Sequence, residues 1–199
     1  YPGAPEIARR VQEIAEGRKF AAYNVTDPHM ANHYGTLNIL AKLRRDEAVM
    51  SVGACQNATP EHYLEMGGII AEAIGQTDAR VVLLGSGALS HDFTVYDAPL
   101  RHPSFFNPAN VSSAENIKLD QEVIELFGEG RHDAVLARYP ELRAARYEGF
   151  GSHYVQMVGA LGGRACRLVG TPMSAYENAR GTGNIHIWFE VAEAATRAA

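Results

Sequence analysis

The hydrophobic positions of this chain follow two alternating rhythms. From Pro5 to Gly17, Ile7, Val11 and Ile14 recur at spacings of four and three, with proline early and glycine last, and this predicts a helix. Arg18 to Val25 reads as a strand. A polar turn, Thr26-Asp27-Pro28-His29, leads into a predicted helix over Gly35 to Arg45 that aligns Leu37, Leu40 and Leu43. Glu47 to Cys55 reads as a second strand. Thr59-Pro60-Glu61-His62 has the chemistry of a helix start, threonine as N-cap and proline at the first helical position, and that helix extends to Gln76. Ala79 to Leu84 reads as a third strand, whose apolar run Val81-Val82-Leu83-Leu84 suits burial on both faces of a parallel sheet.

Asp92 to Val111 shows no period and carries Pro99, Pro103 and Pro108 among Phe93, Tyr96, Phe105 and Phe106. So long an irregular stretch inside a compact domain is usually functional. Helices are predicted at Ala114 to Phe127, His132 to Tyr139 and Gly149 to Leu161, and strand-like pieces at Arg164 to Val169 and Asn184 to Val191. In the last, Ile185, Ile187 and Phe189 alternate with His186 and Trp188, the two-residue period of a strand. The alanine-rich tail 192–199 is expected to fray. The β-helix-β rhythm predicts an α/β fold, a central and mostly parallel β-sheet layered by helices, in one domain over 1–199.

Composition narrows the class without naming a reaction. The chain has 199 residues, 46% hydrophobic and 21% charged, which excludes a disordered or collagen-like protein. Lysines and arginines number 18 against 23 aspartates and glutamates, a net charge of −5, which argues against a nucleic-acid binder. No apolar run is long enough for a bilayer and no secretory pattern opens the chain. Cys55 and Cys166, in strand-like contexts, read as buried thiols of a reducing compartment, so the expected setting is the cytoplasm. The first residue is Tyr1, with a helix already under way, and the sequence is expected to be a piece of a longer protein.

Three segments carry candidate chemistry. Gly85-Ser86-Gly87-Ala88-Leu89-Ser90-His91 follows the most apolar strand, and ligands in open α/β sheets bind beyond the carboxyl ends of strands. A dinucleotide fingerprint fails there, because Ser90 takes the place of the third glycine. His91 is either a catalytic group or a residue that merely closes the turn. In Asn32-His33-Tyr34-Gly35-Thr36-Leu37, His33 lies four residues after His29, a metal-ligand spacing if the helix begins near Pro28 with Asp27 as its N-cap; two solvated loop histidines are the alternative. In Tyr147-Glu148-Gly149-Phe150-Gly151-Ser152-His153, Glu148 is either an acid favoured by a helix dipole or a hard-oxygen metal ligand. On one continuous helix, Glu148 and His153 would stand roughly 140° apart and could not share an ion. His62 and His132 read as solvated, and His102, in the aromatic loop, as a possible substrate contact.

Taken together and in this order, these motifs resemble the class III extradiol ring-cleaving dioxygenases, the family of the protocatechuate 4,5-, homoprotocatechuate 2,3- and 2-aminophenol 1,6-dioxygenases. The resemblance spans nearly the whole chain, from Tyr1-Pro2-Gly3-Ala4-Pro5-Glu6 through His33-Tyr34-Gly35-Thr36-Leu37, Val49 to Ala54, Gly85 to His91 and Glu148-Gly149 to Gly181-Thr182-Gly183-Asn184. It implies a mononuclear Fe(II) held by two histidines and a glutamate, with open positions for substrate and O₂. It puts Glu148 in the carboxylate role, makes His91 the acid/base residue and sets His33 near the substrate. Tyr34, Ser90, Phe93 and His102 are then expected at the substrate. The family's two iron-binding histidines lie upstream of this sequence, and none of its eight histidines matches them.

The expected function is therefore Fe(II)-dependent insertion of O₂ into a catechol or 2-aminophenol ring beside its heteroatom pair. The expected partners are that small aromatic substrate, O₂ and further subunits in a homo- or hetero-oligomer, with neither nucleic acid nor membrane. Two alternatives stay open. One is a non-catalytic subunit or scaffold without a complete iron site. The other is a hydrolytic metal site built from His29, His33 and Glu148 around a Zn²⁺-bound water.

Overall fold

A computed structural model of the chain describes residues 1–93, 95 and 97–191. Tyr96 and the tail 192–199 lie outside the described residues. Helix α1 (Pro5–Gly17) sets Val11 and Ala15 against Ile69, Ile70 and Ala73 of α3 (Pro60–Gly75), as the helical spacing of its apolar residues predicts. Helix α3 begins at the expected cap. The Thr59 hydroxyl accepts from the His62 N–H at 3.4 Å, and His62 Nδ1 accepts from the Thr59 N–H at 3.2 Å. A histidine thus closes a capping box that usually takes Glu or Gln.

Helix α7 (Ser152–Ala160) crosses α3 backbone to backbone. A Cβ on Gly67 would lie 2.1 Å from the Gln156 carbonyl oxygen, and one on Gly159 would lie 2.4 Å from that of Leu64. Only glycine permits that approach. Tyr63, Tyr139, Val155, Val158 and Cys166 pack around the crossing. Helices α4 (Ala114–Gly128), α5 (His132–Ala137) and α6 (Tyr139–Ala144) enclose a further cluster of Val123, Phe127, Val135, Leu142 and Tyr147. The helix predicted over His132 to Tyr139 breaks at Arg138, because Pro140 has no N–H to return to Leu136.

The strands depart from expectation. Among the described residues, β1 (Gly170–Pro172) pairs antiparallel with β4 (Ile187–Phe189), and β2 (Glu177–Ala179) with β3 (Thr182–Asn184). The second pair closes through Arg180 and Gly181, both at positive φ, the backbone of a two-residue hairpin. The runs 18–25, 47–55 and 79–84 carry no ladder; their one pairing is a parallel bridge between Gly3 and Val49. The described residues therefore form a mixed helix-and-hairpin structure without the central parallel sheet. Val82 is 64% exposed, although Leu83 packs on the α1–α3 cluster. Apolar β-branched runs report a fitness for burial, whereas a ladder needs a second edge in register.

Cys166 is buried as expected, but Cys55 is exposed. No helix among the described residues is long and apolar enough to cross a membrane.

Candidate active site around His91 and Glu148

The glycine-rich turn and the Glu148 segment hold each other through their backbones. The Glu148 N–H donates to the Ala88 carbonyl at 3.2 Å, and the His91 N–H donates to the Ala145 carbonyl at 2.9 Å. Gly87 makes the approach possible, since a Cβ there would lie 2.6 Å from Cβ of Glu148. The result brings His91 Nε2 to 3.2 Å from Oε2 of Glu148, with side chains 15% and 33% exposed. The other ring nitrogen, Nδ1, lies 3.1 Å from the Leu89 carbonyl. A carbonyl only accepts, so Nδ1 carries a proton in that contact and Nε2 is the nitrogen presented to the site.

Glu148 does not begin helix α7. Gly149, Phe150 and Gly151 all take left-handed φ values, 53°, 56° and 78°, and α7 starts only at Ser152. The angular separation of Glu148 and His153 on a continuous helix therefore does not apply. The left-handed turn folds the His153 ring back over Gly149, its Cε1 lying 2.9 Å from where a Cβ of that glycine would be. His153 Nδ1 is buried and has no hydrogen-bond partner among the described residues. Burial pushes this imidazole below its usual range, against the pull of the Glu148 charge. The spacing sets His153 apart from Glu148 only on a continuous helix, and the two glycines flanking Phe150, a poor way to open a helix, were the available signal that it is not one.

A cavity of about 280 Å³ opens beside the pair, lined by Gln56, His91, Asp92, Phe93, Arg146, Tyr147, Glu148, Gly149 and Phe150. Phe93 meets the His91 ring edge-on, centroids 5.6 Å apart. Gln56 and Arg146 carried no sequence signal.

The other expected residues fall in different places. His33 caps helix α2 (Tyr34–Leu43), its ring 4.9 Å from that of Tyr34, and both are exposed. The Ser86 hydroxyl donates to the Gly35 carbonyl at 2.9 Å and docks this helix start on the glycine turn. His33 and Tyr34 line a larger open cavity, about 3650 Å³, that also reaches His91 and Glu148. His29 lies before α2, its N–H donating to Asp27 Oδ1, so the shared helical face with His33 does not form. His102 is held in the aromatic loop, its N–H on Asn110 Oδ1 and its Nδ1 accepting from the Ser104 N–H, away from both cavities.

Ser90 is completely buried, and its hydroxyl turns inward, lining neither cavity. It donates to Asp120 Oδ2 at 2.7 Å while the Ser90 N–H donates to Oδ1 at 3.0 Å. Tyr176 adds a third donor at 2.7 Å, and the Tyr147 hydroxyl lies beside the same carboxylate without closing a hydrogen bond. Burial pushes the Asp120 carboxyl above the usual range, and the surrounding hydroxyls pull it back. His132, expected in solvent, is fully buried between the Tyr154 hydroxyl at 2.7 Å and the Leu168 carbonyl at 2.8 Å.

An iron ion needs several converging donors. Among the described residues no three of His, Cys, Asp or Glu come together as such a set, and Glu148 offers a single carboxylate. The described residues do not fit iron by themselves, nor do His29, His33 and Glu148 form the hydrolytic site.

Residues 1–188 match the family model of the catalytic LigB subunit of aromatic ring-opening dioxygenase. The chain belongs to this family of aromatic ring-opening dioxygenases. Comparison with curated proteins gives no match.

Proposed function

We propose that this chain carries the proton-transfer and substrate-facing side of an Fe(II)-dependent extradiol dioxygenase acting on a catechol or 2-aminophenol. The observation that supports this most directly is the His91–Glu148 pair at 3.2 Å, at the mouth of a cavity of a small ring's size. Bound iron would supply the redox centre for reaction with O₂. Glu148 would give it one oxygen ligand, and a complete site needs further donors outside the described residues.

The roles of the chain's own groups follow from their contacts. With Nδ1 committed to the Leu89 carbonyl, His91 exchanges its working proton at Nε2, on the edge facing Glu148 and the cavity. An imidazole is suited to give and take that proton near neutral pH. Phe93, edge-on to His91, walls one side of the ring's position. His33 lines the larger cavity, and the role assigned to it there is a hydrogen bond to a substrate oxygen. Tyr34 borders that approach. The loop histidine His102 remains a candidate contact only for a substrate reaching beyond the cavity.

The test is oxygen uptake by the full-length, iron-loaded protein with a panel of catechols and 2-aminophenol. Uptake with a ring-cleavage absorbance is expected for at least one of them. Silence across the whole panel sinks the reading.

A further inference from the structure

The residue after Ser90 is the one assigned to proton transfer, and Ser90 hangs from a carboxylate that touches neither cavity. We infer that Asp120 is a positioning residue: through Ser90 it fixes the peptide that carries His91 and so sets where Nε2 points. This rests on the acid/base assignment of His91 made above.

Several independent contacts meet at this point. Asp120, on α4, is fully buried and accepts from both the N–H and the hydroxyl of Ser90, so the serine is gripped by main chain and side chain together. Two acceptor oxygens on one residue's two donors fix its orientation as a fork does. Tyr176 braces the far side of Oδ2. The strand β3 closes over the arrangement: the Leu89 N–H donates to the Gly183 carbonyl at 2.9 Å, and the Gly183 N–H donates to the Ser90 carbonyl at 3.1 Å. A Cβ on Gly183 would lie 2.0 Å from Asp120 Oδ2, so glycine at that position makes room for the carboxylate itself. Leu89 and Ser90 are thereby held from two elements, and the Leu89 carbonyl held in this way is the acceptor that selects the His91 tautomer.

A carboxylate used only for stability would need no such focus on one peptide. Asp120 offers both oxygens to the residue beside His91, and burial away from solvent makes each of those hydrogen bonds costly to lose. Misplacing a reacting group by about 1 Å can cost roughly a hundredfold in rate, so a held peptide has kinetic value.

The experiment compares Asp120→Leu, Asp120→Asn and Ser90→Ala in the full-length protein, each alone and combined with His91→Ala. Asp120→Leu is expected to lower kcat by roughly tenfold to a hundredfold with KM little changed. Asp120→Asn, which keeps an acceptor for the Ser90 N–H, should recover most of that loss. In the His91→Ala background none of the three changes should slow turnover further, the non-additivity expected of residues acting as one unit. A separate readout needs no turnover: the ring resonances of His91 should shift in Asp120→Leu and Ser90→Ala while those of His62 stay in place. Equal slowing by Asp120→Leu with and without His91, or unmoved His91 resonances, overturns the proposal. If Asp120→Leu does not fold, Ser90→Ala carries the same double-mutant and resonance tests, with a smaller shift expected. A wild-type protein that turns over no ring substrate defeats the assignment of His91 instead, and the resonance experiment still decides whether Asp120 positions it.

Discussion

The regions around His91 and His132 are built from the same parts. In each, one ring nitrogen rests on a backbone carbonyl, Leu89 for His91 and Leu168 for His132, and the other meets a side-chain oxygen, Glu148 or the Tyr154 hydroxyl. The carbonyl fixes the protonated nitrogen in both. What differs is that second partner, a hydroxyl that donates against a carboxylate that only accepts, and the surrounding space. His132 lies among Phe127, Tyr154 and Phe189 with no solvent access, so its second nitrogen accepts permanently from Tyr154. Among the described residues His91 has one aromatic neighbour, Phe93, and it borders a cavity. The same anchoring on a carbonyl thus leaves an enclosed ring whose second nitrogen is satisfied by a hydroxyl at His132, and a ring whose second nitrogen faces a carboxylate beside a cavity at His91.

The sharpest way to break this comparison is to remove each imidazole. His91→Ala should lower turnover of the full-length, iron-loaded enzyme by roughly two to four orders of magnitude while iron content, measured by metal analysis, stays unchanged. Glu148→Ala should lose iron. If His91→Ala loses its iron as completely, the division of roles between these two residues is wrong. His132→Ala should act on stability instead, by about 2–4 kcal/mol in denaturant unfolding, because the Leu168 carbonyl and the Tyr154 hydroxyl are left buried without partners. Its turnover per folded molecule should stay near that of wild type, and a large loss of kcat would erase the contrast.

Acid sharpens the same distinction. Burial pushes His132 below the usual imidazole value, an effect that the Leu168 carbonyl only partly offsets. The unfolded chain therefore binds this proton first. The stability contributed by neutral His132 is complete above pH 6.5, the unperturbed value, and is lost as pH falls from there toward its lowered folded value. Unfolding midpoints measured across that window should decline for wild type, and the decline should be shallower in His132→Ala. The smallest effect is expected at the aromatic neighbour of the open histidine. Phe93→Ala should weaken substrate binding by about 0.5–1.5 kcal/mol, read as a rise in KM with kcat nearly unchanged.

Much of this site was legible because local chemistry wrote it. Glycines at 85 and 87 followed by Ser90-His91 point to a turn that delivers a histidine, whereas nothing in the sequence around Glu148 points to its pairing with His91. Helices α1 and α3 could be read from spacing and caps, since Pro5 and Thr59 act within a few residues of themselves. What failed depended on distant neighbours. Nothing near His132 in sequence says that Leu168 and Tyr154 will enclose it, and nothing near Ser90 points to Asp120. The runs at 18–25, 47–55 and 79–84 have strand composition but no partner edge among the described residues, so composition overstated the sheet. The angular placement of His153 relative to Glu148 failed for a different cause: three consecutive left-handed residues replaced the assumed helix.

The bare crossing of Gly67 and Gly159 limits how such a protein can diversify. No side chain lies between those two backbones to be trimmed or enlarged, and even a methyl group would drive whole helices apart. Helix α7 starts one residue after the turn that carries Glu148, so movement at the crossing would be delivered to the carboxylate. On the proposed function, adaptation to a differently substituted ring is therefore channelled away from the helix pair and into side chains outside it that border the cavity, Gln56, Phe93, Arg146 and Phe150.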